Sequence, residues 1–174
     1  MLLNPCEVPP SGTTAQPKER MMAEVQNMRG EKIYECDFNI TGMTDYGVTL
    51  DALLSGKESV PLQGARIDVA FDGDIKGRIT GKVRSGVEYL QLRADGRTDL
   101  DGRATIETDD GHRIAMRIEG VATPRANEPM MDLIANVRLT TTTPKYAWVN
   151  TKQIWGLATV NLATAKIHVE SFLQ

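Results

Sequence analysis

Hydrophobic and polar positions alternate along most of this chain with a period of two, the repeat of a strand with one face buried. In residues 32–40 (KIYECDFNI), Tyr34, Cys36, Phe38 and Ile40 share one face, and Ile33, Glu35, Asp37 and Asn39 the other. Residues 66–71 repeat the pattern with Ile67, Val69 and Phe71 inward. A turn is expected at Asp72-Gly73-Asp74, followed by a strand over residues 75–83 that Gly77 and Gly81 weaken. Within residues 86–120, turns at Ala94-Asp95-Gly96 and Asp109-Asp110-Gly111 separate three strands, because Asp-Gly supplies the positive φ of a short hairpin. Ile114, Met116 and Ile118 then alternate with Arg113, Arg117 and Glu119. Residues 131–139 alternate again after a long turn at residues 124–129, and residues 146–162 and 166–173 read as the last strands.

About eight or nine strands with regular turn signals and little helix define an all-β chain, and consecutive short hairpins favour an antiparallel up-and-down β-barrel. The glycines inside strands (Gly77, Gly81, Gly102, Gly120, Gly156) are suited to the bends of a small closed barrel. Two segments depart from the alternation. Residues 1–30 divide into a proline-rich arm, with Pro5, Pro9, Pro10 and Pro17, and an expected N-terminal helix at residues 19–29 with Gly30 as its cap. Met21, Met22, Val25 and Met28 form that helix's apolar stripe. Residues 41–61 form a long connection in which residues 51–55 are expected to be helical, closed by Gly56. The domain division is therefore 1–30 for the arm and helix and 31–174 for the barrel.

Composition narrows the function. A chain of 174 residues with 41% hydrophobic and 25% charged residues can bury a real core. Its net charge of −3, without a basic patch, gives no electrostatic case for nucleic acid or an anionic membrane. No apolar run reaches the roughly 18 residues of a membrane span, and Asn4-Pro5 interrupts the apolar start, so the expected location is cytoplasmic. Cys6 and Cys36, with His112 and His168, fit neither a disulfide framework nor a zinc site. There is no phosphate-binding loop, dinucleotide glycine fingerprint or nucleophile elbow. The expectation is a chain without metal or cofactor.

What remains is a barrel cavity bearing a few polar groups, an arrangement suited to acid–base work on a small apolar molecule. Glu88 shares parity with Leu90 and Leu92 and so points inward, where desolvation would raise its pKa toward neutrality; a surface glutamate is the alternative. His112 shares parity with Ile114, Met116 and Ile118 and is expected at an inward-facing barrel mouth near Glu88. Tyr146, Trp148 and Asn150 fall on one strand face, with Tyr146 a hydrogen-bond donor and Trp148 a wall, although core packing explains them equally well. The catalytic candidates are Glu88, His112 and Tyr146; the substrate-binding candidates are Trp148, Asn150, Tyr89 and Asp109. Asp110 is assigned to turn geometry, and His168 with Glu170 to an outward polar face.

Three pieces of the chain resemble a family of small bacterial and fungal proteins known as domain of unknown function 3237, or UPF 0311. GVEYLQLRADGRTDLD (residues 86–101) is similar to the family's G-x-D-W-x-x-x-R-x-D-G stretch. ETDDGHRIAMRIEG (residues 107–120) is similar to T-x-D-G-x-x-I-x-x-x-x-x-G, and KYAWVNTKQIWGLA (residues 145–158) to Y-x-W-L-N followed by glycine. Order and spacing agree from about Lys32 to the C-terminus. The chain departs from the pattern at Glu88, where the family usually has Asp, and at Tyr89, where it usually has Trp. The resemblance implies a calycin-like or allene-oxide-cyclase-like β-barrel, often a homo-oligomer, and implies no reaction.

Three functions follow as expectations. The first is a cofactor-independent lyase, isomerase or hydrolase acting on a small hydrophobic, oxygen-bearing molecule, a terpenoid or aromatic. The second is a lipocalin-like binding protein that holds such a ligand without turnover. The third is a structural or oligomer-forming protein with a packed interior. Titratable groups converging on one cavity would favour the enzyme.

Overall fold

The alternating segments close into one continuous sheet in the computed structural model, which describes residues 30–174. The expected arm and helix of residues 1–29 lie outside the described residues. The strands are β1 (Glu31–Asp45), β2 (Ala65–Gly77), β3 (Gly81–Leu92), β4 (Thr98–Thr108), β5 (Arg113–Pro124), β6 (Met130–Thr140), β7 (Ile154–Asn161) and β8 (Lys166–Leu173). Each pairs with its sequence neighbours, and β8 pairs with β1, giving a closed barrel in the up-and-down order expected. Closure leaves no edge strand to expose unpaired backbone.

The strands are strongly staggered. Following paired residues from Met43 through Val69, Glu88, Gly102, Ile118, Val137, Ile154 and Leu173 returns to β1 at Glu31, twelve positions from the start. For a given strand number, stagger tilts the strands and widens the barrel, so an eight-stranded sheet can keep a space large enough for a small ligand.

One end of the barrel is plugged. Ile79, Ile106, Ile114 and Ile154 have no exposed surface, and Ile33, Ile75, Val83 and Val149 are 1% exposed. Burying each such side chain contributes about 1.5–3 kcal/mol. Their β-branched shapes suit the pleated surface they stand on. At the other end, in the connection between β1 and β2, helix α1 (Leu50–Leu54) begins where the Thr49 side chain accepts a hydrogen bond from the Ala52 amide at 3.1 Å. It ends before Gly56, at φ +68°, close to the helix expected at residues 51–55.

Two segments differ from the sequence reading. Residues 72–74 do not turn: β2 runs through them, and the reversal falls at residues 78–80. Gly73 marks a close crossing instead, because a Cβ there would lie 2.1 Å from the Asp37 carbonyl oxygen. The strand expected at residues 75–83 is thus divided, its start continuing β2 and its end opening β3, and eight strands remain among the described residues. Residues 146–153 are also not a strand. Ala147–Thr151 is a 3-10 helix at the plugged end, with Tyr146 and Val149 buried three residues apart, the repeat of such a helix.

Candidate functional site

A cavity of about 80 Å³ lies inside the barrel. Its wall is carbon almost throughout, from Phe38, Phe71, Leu100, Met116, Leu133 and Val137 among others. Four polar side chains interrupt it: Glu88, Tyr34, Cys36 and Ser171.

Glu88 reaches the interior because β3 changes parity. Val83 pairs with Ile106 and Gly86 with Ala104, so Arg84 and Ser85 stand opposite the single residue Thr105. This bulge shifts the inward set from Gly81 and Val83 to Gly86, Glu88, Leu90 and Leu92. Across the ladder Glu88 meets Gly102, which leaves room for its carboxyl group: a Cβ on Gly102 would lie 2.4 Å from Glu88 Oε2 and 3.1 Å from Ile118 Cβ. Glu88 Oε1 is buried without a hydrogen-bond partner among the described residues. Burial pushes the Glu88 pKa up to about 8; the nearby Asp101 charge adds to the rise, and Arg103 opposes it. The group is therefore mostly protonated at neutral pH and can change state near it.

Tyr34 and Ser171 are register partners on β1 and β8 and both line the cavity. They are 2% and 1% exposed, and neither hydroxyl has a hydrogen-bond partner among the described residues. Ser171 lies close enough to ease the deprotonation of Tyr34 slightly, but without hydrogen-bonding geometry. Burial raises the Tyr34 pKa well above the usual phenol range, so the hydroxyl keeps its proton. Burial likewise raises the Cys36 thiol, with Asp37 and Glu35 adding to the effect, which removes the thiolate a nucleophile would need.

The other residues singled out from the sequence lie elsewhere. His112 is exposed, in the turn between β4 and β5, where its amide donates to Thr108 Oγ1 at 2.9 Å. Its inward parity does not apply because strand geometry begins only at Arg113. Gly102, opposite Glu88, is six residues along β4 from Thr108, roughly 20 Å at strand rise; the expected Glu88 and His112 pair does not form. Asp109 is exposed in the same turn.

Tyr146 is buried at the plugged end and donates from its hydroxyl to Asp110 Oδ1 at 2.9 Å. Asp110 also accepts from Thr108 Oγ1 at 2.6 Å and pairs with Lys145, so it is a hub as well as a turn residue. Asn150 bridges the Thr141 backbone, donating to the carbonyl at 2.8 Å and accepting from the amide at 2.9 Å. Trp148 lies under the Arg78 guanidinium, 3.9 Å from its ring centre. The three are helix-to-barrel fastenings and do not line the cavity. Tyr89 faces outward, its ring 4.9 Å from the Arg66 guanidinium. His168 faces outward as expected, with Nδ1 2.8 Å from Asp37 Oδ1.

Sequence reasoning missed Tyr34 and Ser171 as a pair. Parity already put Tyr34 with Cys36 and Phe38, and Ser171 with Ile167 and Val169, so a polar atom on an apolar row was the available signal. No cluster of three or more metal-ligating side chains occurs among the described residues. No helix among them is long and apolar enough to cross a membrane.

A staggered eight-stranded barrel with an apolar interior and a buried carboxyl group defines the class of this molecule. The chain belongs to the family described as "Protein of unknown function (DUF3237)", whose model matches residues 43–170. No curated protein matches it. Among solved structures it is similar to a protein with unknown function from Clostridium acetobutylicum ATCC 824, at 18% identity and TM-score 0.69, over 83% of this chain and 97% of that one. It is similar to a beta-barrel like protein from Acinetobacter baumannii AYE, at 20% identity and TM-score 0.66, over 83% and 94%. It is also similar to a structure described as an enzyme from Penicillium herquei, at 21% identity and TM-score 0.54, over 81% and 92%. These similarities establish the shared barrel.

Proposed function

We propose that this protein is a cofactor-independent enzyme that moves protons on a small hydrophobic, oxygen-bearing molecule held in the barrel, with Glu88 as general acid–base. The observation that carries the proposal is the Glu88 carboxyl group, buried in the cavity wall with one oxygen unpartnered among the described residues and a pKa pushed up to about 8. An unsatisfied buried polar group destabilises the fold by about 1–3 kcal/mol, and such groups concentrate where chemistry needs them. Protonated Glu88 can donate to a substrate oxygen as a C–O bond breaks, and the resulting carboxylate can take a proton back from carbon or water. Lyase, isomerase and hydrolase reactions on terpenoids or aromatics all contain such a step. The similar Penicillium herquei structure, described as an enzyme, supports turnover in this barrel type.

The cavity limits what reacts. At about 80 Å³ it is smaller than the roughly 150 Å³ apolar cavity that holds benzene. A ring system therefore enters only as side chains such as Met116, whose unbranched chain adapts readily, move aside.

A second reading, ligand binding without turnover, is favoured by one observation. Among the polar groups of the cavity, Glu88 alone titrates near neutral pH, since burial holds Tyr34 and Cys36 protonated. The deciding experiment incubates wild type and Glu88→Gln with terpenoid epoxides and hydroxylated aromatics, reading products by chromatography and mass. Turnover lost in Glu88→Gln supports the enzyme. Binding of these compounds without product supports the carrier, and turnover undiminished in the variant overturns the role of Glu88.

A further inference from the structure

Tyr34 and Ser171 do not share the fastening role of two other buried hydroxyls. Buried Thr108 and Thr141 have their hydroxyls engaged: Thr108 donates to Asp110 at 2.6 Å, and Thr141 donates to the Arg113 carbonyl at 2.9 Å. The Tyr34 and Ser171 hydroxyls are at least as deeply buried, yet beyond their nearness to each other neither has a hydrogen-bond partner among the described residues. They sit side by side on adjacent strands, β1 and β8, facing the cavity. Leaving two hydroxyls in an apolar chamber without partners is unfavourable unless a ligand completes them.

We propose that Tyr34 and Ser171 form an oxygen-binding site, in which both hydroxyls donate to one carbonyl or ether-type oxygen of a compact apolar ligand. Tyrosine and serine hydroxyls each carry one donor, and an oxygen with two lone pairs accepts both. The surrounding wall offers that oxygen little else: Phe38, Val169 and Ile167 present carbon only. A carboxylate ligand does not fit, because no cationic side chain of the described residues lines the cavity and an unpaired ion is costly to bury. Glu88 stands on β3, away from the β1–β8 seam. The cavity is thereby polar at two separate places, one holding an oxygen and one exchanging a proton. The site deepens the proposed function, which supplies the proton-transfer role of Glu88, but oxygen binding does not require that role.

The test uses a pair of near-isosteres without a ring, 2-butanone and 2-methyl-1-butene, which suit a cavity of about 80 Å³ and differ chiefly in C=O against C=CH₂. Binding to the purified full chain is read by chemical-shift titration. The expected result is a preference for the ketone of about tenfold or more in wild type. Tyr34→Phe and Ser171→Ala should each shrink that preference, and the double variant should abolish it while 2-methyl-1-butene still binds. Tyr34→Phe should also melt close to the wild-type temperature, because the hydroxyl it removes has no neighbouring side-chain hydroxyl but that of Ser171 among the described residues. Equal affinity for both probes in wild type, no ketone binding up to its solubility, or a preference that survives the double variant overturns the proposal. Glu88→Gln separates the two ideas: retained ketone preference with retained turnover sinks the acid–base role and leaves the oxygen site standing.

Discussion

The Glu88 carboxyl group occupies the space that a side chain on Gly102 would take, with Oε2 2.4 Å from where the Gly102 Cβ would be. The two residues are directly opposed on β3 and β4, so the absent side chain on one strand makes the buried carboxyl on the other possible.

Gly102→Ala is therefore the most local perturbation of the site. The added methyl must push the carboxyl away or press on Ile118, 3.1 Å from the new Cβ. Overpacking of this kind costs about 1–3 kcal/mol, read as a lower denaturant midpoint. Any Glu88-dependent activity should fall with it. Unchanged stability and unchanged activity together would mean that the carboxyl already has free space elsewhere.

Glu88 should leave a signature in stability against pH. Its folded pKa is raised to about 8, so between its ordinary value of 4.5 and 8 the unfolded chain releases a proton that the folded chain keeps. Stability attributable to this group is full below the unfolded value and is lost as pH rises through that window, by about 1.4 kcal/mol per pH unit. Above about 8 both states are ionised and the loss levels off. Denaturant titrations of wild type and Glu88→Gln at successive pH values should diverge with this slope. Parallel curves would place the Glu88 pKa near its ordinary value.

Asp110 should act in the opposite direction. Lys145, then Thr108 and Tyr146, hold its carboxyl well below the usual carboxylate range. The stability it contributes is present above its unfolded value of 3.8 and is lost as pH falls through the lower folded value. Asp110→Asn should flatten the acid limb of a thermal melt series while leaving neutral and alkaline behaviour in parallel with wild type.

Tyr146→Phe and His112→Ala should leave turnover and ligand binding intact, because neither residue lines the cavity. Tyr146→Phe should lower the melting temperature slightly, since it releases the hydrogen bond to Asp110. A loss of activity without a loss of stability in either variant would show that the plugged end takes part in function.

Ile106→Ala tests the plug itself. Ile106 has no exposed surface and belongs to the main core cluster. The substitution should cost about 2–5 kcal/mol, with the larger values if the end cannot collapse around the void. A cost well under that range would indicate a loosely packed end.

Much of the inward face was legible from alternation alone. Tyr34, Cys36 and Phe38 on β1, Ile67, Val69 and Phe71 on β2, and Glu88 with Leu90 on β3 all face the side their parity gave. Both Asp-Gly turns fall where expected, since a positive φ is a local demand that glycine meets locally, at +88° for Gly96 and +83° for Gly111. His112 and Tyr146 were misplaced because parity was carried into segments that are not strands.

The sequence by itself determined which residues share a side within each unbroken run of a strand, because a two-residue repeat records that side until a bulge interrupts it. Only the tertiary structure decided which inward residues meet. Tyr34 and Ser171 lie near opposite ends of the described chain and become neighbours because closure pairs β1 with β8. The bulge at Arg84 and Ser85, and the close crossing at Gly73, depend on backbone approaches between strands that no single strand's pattern contains. The stagger then sets how wide the barrel is, and so whether these inward groups pack together or face a cavity.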